Sequence, residues 1–241
     1  MGNRLVQTLL SSSAICCTLA YAGLAQAAPN AFTDRGAYDA AVAGLSNVSI
    51  TTLNFDGLTA GDLIAGGDTV DGISFSYDLG GVSLQVTDGA DTTSASNFLG
   101  TNDLGMLQDG DDFQLGFGAR NAVGLYVMSL DGLIDDDFQL TVGSFSASLS
   151  SADLQYTLND GTSVYFLGIV DPTATFTAAS VTTSHDGQSG YFLWNADDVV
   201  TAVAQVPEPG TWAMLMAGLG LLGIRTTRRA VRRGPDPDGL A

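Results

Sequence analysis

Ile73-Ser74-Phe75-Ser76-Tyr77 and, after Gly80-Gly81, Val82-Ser83-Leu84-Gln85-Val86 alternate apolar and polar residues with a period of two. That period places one apolar face of a half-buried β-strand against a core and turns the other face to water. The same reading extends outward in both directions. Val48 to Phe55 lies upstream. Downstream come Phe113 to Phe117, Ala122 to Leu130, Phe138 to Val142, Phe145 to Leu149, Leu154 to Leu158, Val164 to Val170, Thr175 to Thr183, Tyr191 to Trp194 and Val199 to Val203. Asp-Gly pairs at Asp56-Gly57, Asp71-Gly72, Asp88-Gly89, Asp109-Gly110, Asp131-Gly132, Asp160-Gly161 and Asp186-Gly187 punctuate these runs as turns. One helical signal precedes them: Thr33 is the expected N-cap of a short helix through Asp34 to Val42, with Tyr38, Ala41 and Val42 on one apolar stripe. Many short strands, closely spaced turns and no crossover helices predict an all-β fold, an antiparallel β-sandwich of jelly-roll type.

The ends of the chain carry different chemistry. Arg4, the apolar run from Leu5 to Ala20 and Ala25-Gln26-Ala27 form a secretory signal peptide over residues 1–27, with cleavage expected after Ala27 at an A-x-A site read through Ala25 and Ala27. Ser13-Ala14-Ile15 before Cys16 lacks the Leu and the small residue of a lipoprotein box, which argues against lipidation. Cys16 and Cys17 are the two cysteines of the chain. Both leave with the signal, so the exported domain has neither a disulfide framework nor a thiol nucleophile.

Charge between Ala28 and Val206 is one-sided. Only Glu208, Asp236 and Asp238 of the 26 acidic residues fall outside that stretch, and only Arg35 and Arg120 of the 8 basic residues fall inside it. Such a field repels phosphate backbones, which excludes nucleic acid and anionic membrane surfaces as partners and leaves divalent cations and neutral surfaces. Disorder is excluded as well, because aromatic and β-branched residues are frequent and periodic. The β-sandwich domain is therefore assigned to 28–205.

Beyond it, Val206-Pro207-Glu208-Pro209-Gly210-Thr211-Trp212 leads into an apolar run from Ala213 to Ile224 and then to Arg225, Arg228, Arg229, Arg232 and Arg233, with a short tail at 234–241. The prolines and Gly210 make a turn, Trp212 suits a lipid boundary, and the arginines hold the cytoplasmic side. Trp212 to Ile224 is 13 residues. At ~1.5 Å per residue it falls short of a ~30 Å hydrocarbon core. It spans only transiently, with arginines snorkelling to the interface and the bilayer thinned locally. Two readings remain open on these residues, a processed sorting signal and a plain C-terminal transmembrane anchor. Gly218 to Gly223 formally matches G-x-G-x-x-G, but no strand precedes it, so the phosphate-binding context is missing.

In this order, the V-P-E-P start, the Gly-rich apolar helix and the Arg cluster resemble the PEP-CTERM sorting domain, also known as the ice-binding protein C-terminal motif. The resemblance covers about 206–233. It implies that Val206, Pro207, Glu208, Pro209, Gly210 and Trp212 form the sorting motif, with the five arginines as the stop-transfer cluster. Its implied partners are signal peptidase and an exosortase during export, with transient inner-membrane insertion of the C-terminal helix. Its implied destination is the cell surface or extracellular matrix of a Gram-negative bacterium that makes exopolysaccharide. The domain is similar in two further places to exported domains bearing this signal, Phe55-Asp56-Gly57 at the end of the first strand and Asp197-Asp198-Val199 near the last; it resembles carbohydrate-binding sandwiches more loosely.

Catalytic constellations are sparse. His185 is the only histidine, in a Ser184-His185-Asp186-Gly187 hairpin tip, and no Lys is present. Acyl transfer and zinc chemistry thus lack their usual groups. Gly187-Gln188-Ser189-Gly190 misses the nucleophile-elbow spacing. Hard oxygen ligands are abundant, which points to calcium. Candidate sets are Asp109, Asp111 and Asp112; Asp135, Asp136 and Asp137, whose contiguity reads as a solvated loop; and Asp56 with Asp197 and Asp198, which read either as a structural Ca²⁺ site or as a polar strand end. Tyr77, Tyr126, Tyr156, Tyr165, Tyr191 and Trp194 are expected in the core or on sheet faces, a sugar-stacking platform being the other use of such rings. The functional expectation is an exported, non-enzymatic surface or matrix protein, the alternatives being a calcium-dependent carbohydrate-binding module, with extracellular polysaccharide as its partner, and a glycan-active enzyme.

Overall fold

The computed structural model describes residues 28–133, 136–183 and 192–204. In chain order these form β1 (Asn30–Phe32), α1 (Arg35–Ala43), β2 (Val48–Leu53), β3 (Leu63–Ile64), β4 (Thr69–Val70), β5 (Ile73–Tyr77), β6 (Leu84–Thr87), β7 (Phe98–Thr101) and β8 (Leu107–Gln108). The second half contributes β9 (Phe113–Arg120), β10 (Ala122–Ser129), β11 (Phe138–Val142), β12 (Phe145–Ser148), a 3₁₀ turn at Ser151–Asp153, β13 (Tyr156–Thr157), β14 (Ser163–Val170), β15 (Phe176–Thr183) and β16 (Leu193–Ala204).

Two antiparallel sheets result. The larger is 10-stranded, its main path running β1-β14-β10-β16-β7-β6-β3. Three more strands join it at the sides, β13 on β14 and both β2 and β8 on β16. The smaller is 6-stranded, ordered β12-β11-β15-β9-β5-β4. From β9 onward the chain changes sheet at every connection except β11–β12 and β13–β14, so the two sheets share one core and cannot separate into halves. This is the expected two-sheet sandwich.

The core lies between the inner faces. Phe55, Phe75, Phe113, Phe138 and Trp194 meet there with Leu53, Leu115, Leu125, Val127 and Leu167. Trp194 stacks on Phe113 at 6.0 Å between centroids and meets Phe138 edge-on at 4.9 Å. Its indole N–H donates to the Gln108 carbonyl at 3.1 Å. A buried Trp is thereby satisfied without giving up its apolar contact area.

The larger sheet also buries its outer face. Tyr38 and Val42 of α1 pack on Ala122, Phe166, Val170, Val200 and Ala202. Close approach depends on Gly168, where a Cβ would stand 2.5 Å from Tyr38 Cδ2. Asp34, rather than Thr33, caps this helix: its carboxylate accepts from the Ala37 N–H at 2.7 Å. Thr33 instead donates its hydroxyl to Asp153 at 2.7 Å and ties the helix entry to the 3₁₀ turn.

Other differences from the sequence reading are local. Tyr191 to Trp194 and Val199 to Val203 were expected as separate strands, but Leu193, Trp194 and Val199 to Val203 belong to the single strand β16, with Phe192 just ahead of it. The register slips by one residue between Gly124 and Tyr126 of β10, a β-bulge, and Asp198 there takes a φ of 47°. Asn195-Ala196-Asp197-Asp198 has the composition of a turn, yet the ladder continues through it. Strands β1, β3, β4, β7 and β8 were not expected at all; they have two to four residues each, too few to show a period. Of the Asp-Gly pairs within the described residues, only Asp71-Gly72 has both residues at positive φ, 48° and 81°, as a two-residue β4–β5 hairpin requires.

Candidate functional site

At the β16 bulge, Asp197 and Asp198 meet a loop running from Thr92 to Asn97, and Asp56 meets the same loop from the end of β2. Asp197 is fully buried although it is charged. Its Oδ2 accepts from the Thr92 hydroxyl, from Thr93 Oγ1 at 3.0 Å and from the Ser94 N–H at 3.0 Å, while Oδ1 accepts from the Asp198 N–H at 2.7 Å. The same Thr93 hydroxyl is shared with Asp198 Oδ2, 3.1 Å away. Asp56 takes the other end of the loop, accepting backbone N–H groups from Ala95 at 3.1 Å, Ser96 at 2.9 Å and Asn97 at 3.0 Å. Asn97 returns its side-chain amide to the carbonyl of Leu58 at 2.8 Å.

The result is a strap held at both ends by carboxylates. A loop has backbone donors that no strand will pair, and a carboxylate can accept several of them. The two ends carry opposite electrostatics. Burial pushes Asp197 up to about 6, the Thr92 hydroxyl drawing it back and the adjacent Asp198 adding to the rise. Burial likewise raises Asp198, against the pull of Thr93 and Arg35. At Asp56 a desolvation penalty opposes the change, but the N–H groups of Asn97, Ser96 and Ala95 prevail and hold the carboxyl below its usual range.

The three aspartates expected to form a calcium site do converge on one loop, but not as a cation cage. Among the described residues no three Asp, Glu, His or Cys side chains gather closely enough to hold a metal ion. The oxygens of Asp56 and Asp197 face N–H and O–H donors, the opposite polarity to a cation. Of Asp109, Asp111 and Asp112, the last two fare similarly. Asp111 accepts from the Gln108 N–H at 2.7 Å and Asp112 from the Thr183 N–H at 2.8 Å, fastening the chain ahead of β9 to the end of β15. Asp136 accepts from Ser148 Oγ, next to β12. Asp135 and His185 lie outside the described residues, as do Ala25, Ala27, the motif residues Val206, Pro207, Glu208, Pro209, Gly210 and Trp212, the arginines from Arg225 to Arg233 and the C-terminal apolar segment. Among the described residues no helix is long and apolar enough to cross a membrane.

The aromatic residues divide by face. Trp194 and Tyr165 belong to the inner core. Tyr77 is part-buried and donates its hydroxyl to the Ile64 carbonyl at 2.6 Å. Tyr126 and Tyr156 stand on the outer face of the larger sheet, and Tyr191 is outside the described residues. Sequence reasoning missed both the strap and the position of Arg35, whose guanidinium lies 5.5 Å from the Tyr126 ring centre and 5.3 Å from that of Phe166. The Thr92-Thr93-Ser94 run of hydroxyls was the available sign of the strap.

By fold this is an all-β, two-sheet antiparallel sandwich with one outer face partly roofed by a helix and a carboxylate-held strap. The last of its described strands is β16, Leu193–Ala204, and residues 205–233 match the model of the PEP-CTERM protein-sorting motif. That motif marks an exported protein that transits the membrane and is processed by an exosortase. No curated protein matches the chain. A solved structure similar to it is the K2 cleaved adhesin domain of Lys-gingipain, at 13% identity and a TM-score of 0.43, the match covering 64% of this chain and 97% of that one.

Proposed function

We propose that the sandwich is the delivered cargo: a non-enzymatic structural or adhesive component of the cell surface or exopolysaccharide matrix of a Gram-negative bacterium. A signal peptidase releases it after Ala27, and an exosortase clips it near Pro207-Glu208-Pro209. The observation that carries this reading is the junction. Strand β16 pairs with β2 as far as Ala204 opposite Val48, and the sorting motif begins at the next residue. Cleavage within the motif therefore leaves every described strand of the sandwich in place.

Two features of the domain support a non-catalytic role. No thiol and no Lys is available between Ala28 and Val206. Asp197, the carboxyl raised to about 6, would be the natural proton carrier, but it lies beneath the strap with both oxygens engaged. A general acid must reach the group it protonates.

Glu208→Ala tests the sorting step, because it alters the recognition turn and leaves the apolar helix intact. In the native host the variant is expected to accumulate as a membrane-held precursor still carrying Arg228 to Arg233. Normal clipping of the variant would remove the PEP motif from the account.

A further inference from the structure

On the outer face of the larger sheet, beside α1, Tyr126 is half-buried and Tyr156 exposed. Tyr126 of β10 pairs with Phe166 of β14, and two residues along β14, Val164 pairs with Tyr156 of β13. Cross-strand partners project to the same side. Phe166 and Val164 belong to the outer clusters, so both tyrosines share that side. Tyr156 is 44% exposed. On the helix side, Arg35 lies over Tyr126 and Phe166 while its Nε donates to Asp39 Oδ1 at 2.9 Å. On the strap side, Asp198 projects from the bulge. Burial raises the hydroxyls of both tyrosines, with Asp198 adding to the rise and Arg35 opposing it, so these groups lie within electrostatic reach of one another.

We propose that this face binds an uncharged polysaccharide, with the Tyr156 ring stacking on the C–H face of a pyranose and Tyr126, Asp198 and Arg35 hydrogen-bonding its hydroxyls. The pattern of groups selects the ligand. Aromatic rings with a polar tip suit a ligand that is apolar on one face and polar at its edge. A carboxylate and a planar guanidinium each engage two neighbouring hydroxyls. Asp39 and Asp198 outnumber Arg35, and the domain around them is strongly acidic, so phosphorylated, sulfated and uronic polymers are repelled. The inference rests on the reading of the chain as a surface or matrix protein, which brings this face to polysaccharide.

The test is affinity electrophoresis of the secreted protein through gels containing dextran, mannan, galactan or β-1,3-glucan, with polygalacturonate as the anionic control. Retardation by at least one neutral polymer and not by polygalacturonate is expected. Tyr156→Ala should weaken that binding by about five- to tenfold. Its Tm should stay unchanged, because the ring is exposed, and Tyr156→Phe should retain most of the binding. Retardation by no neutral polymer, retardation by polygalacturonate alone, or undiminished binding of Tyr156→Ala would each overturn the proposal. Secretion and C-terminal clipping are scored on the same samples. If they are normal while glycan binding is absent, the binding face fails and the sorting reading stands; if clipping is absent from the wild type, it is the sorting reading that fails.

Discussion

On the smaller sheet Ser74, Ser76, Gln114, Ser180 and Thr182 turn outward to solvent, whereas on the larger sheet Phe166, Val200 and Ala202 lie beneath α1, and Phe98, Met128 and Val164 pack with Ala90. The two sheets share one core and differ in what their second faces do. The bare face is lined by hydroxyls, amides and small residues that ask nothing of a neighbour. The roofed face carries the aromatic residues, the two carboxylates of β16 and Arg35, and so concentrates the chemistry of the domain on one side.

The contrast breaks most sharply at the helix. Tyr38→Ala removes a fully buried ring from the roofed face, a truncation that costs about 3 to 5 kcal/mol. For a domain of this size the melting temperature should fall by roughly 10 °C. Thr141→Ala on the bare face removes a hydroxyl paired only with Ser146 at 2.8 Å. It should stay within about 0.5 kcal/mol of wild type. Equal losses in thermal melts would show that α1 adds no more than a solvated strand position does.

A smaller effect sharpens the comparison at the strap. Asp197 holds a proton up to about 6 in the folded protein. In the unfolded chain an Asp releases it near ~3.9. The folded state therefore binds more protons within that window, and the Asp197 contribution to stability falls as pH rises through it. Asp56 has the opposite sign: its depressed carboxyl contributes stability above the unfolded value and loses it as pH falls. Urea denaturation of wild type and Asp197→Asn from pH 4 to pH 7 should therefore diverge, the wild type losing roughly 2 to 3 kcal/mol relative to the variant across the range. Parallel curves would mean that Asp197 does not titrate in the window.

The smallest expected effect concerns cations. With donors facing the oxygens of Asp56 and Asp197, calcium and magnesium should raise the melting temperature alike, by screening the aspartates. A calcium excess abolished by Asp197→Asn with Asp198→Asn would restore the ligand set that the hydrogen bonding argues against, since a true site distinguishes the two ions by geometry.

The same contrast governs how much of the molecule was legible in its sequence. Ile73–Tyr77 and Phe138–Val142 have the bounds that alternation predicts, because one face of the smaller sheet is core and the other is water. Ser163–Val170 is buried almost throughout, so its apolar run predicts a strand but says nothing about what covers each face. The helix was visible through Tyr38 and Val42, yet its docking site was not, because Gly168 and Phe166 are far away in sequence. At the strap, Asp56, Asp197 and Asp198 were singled out together as metal ligands, and the structure brings all three to one loop. Their partners were missed because backbone N–H groups leave no mark in a sequence, and abundant carboxylates suggested a cation where the chain supplies its own donors.

If a finished sandwich is delivered and its C-terminal segment discarded, the intact mass of the secreted protein from the native host records both events. The expected form begins at Ala28, ends close to Val206 and lacks Trp212 together with Arg225 to Arg233. A surface or secreted form that retains the arginine cluster would contradict it and make the segment a permanent anchor.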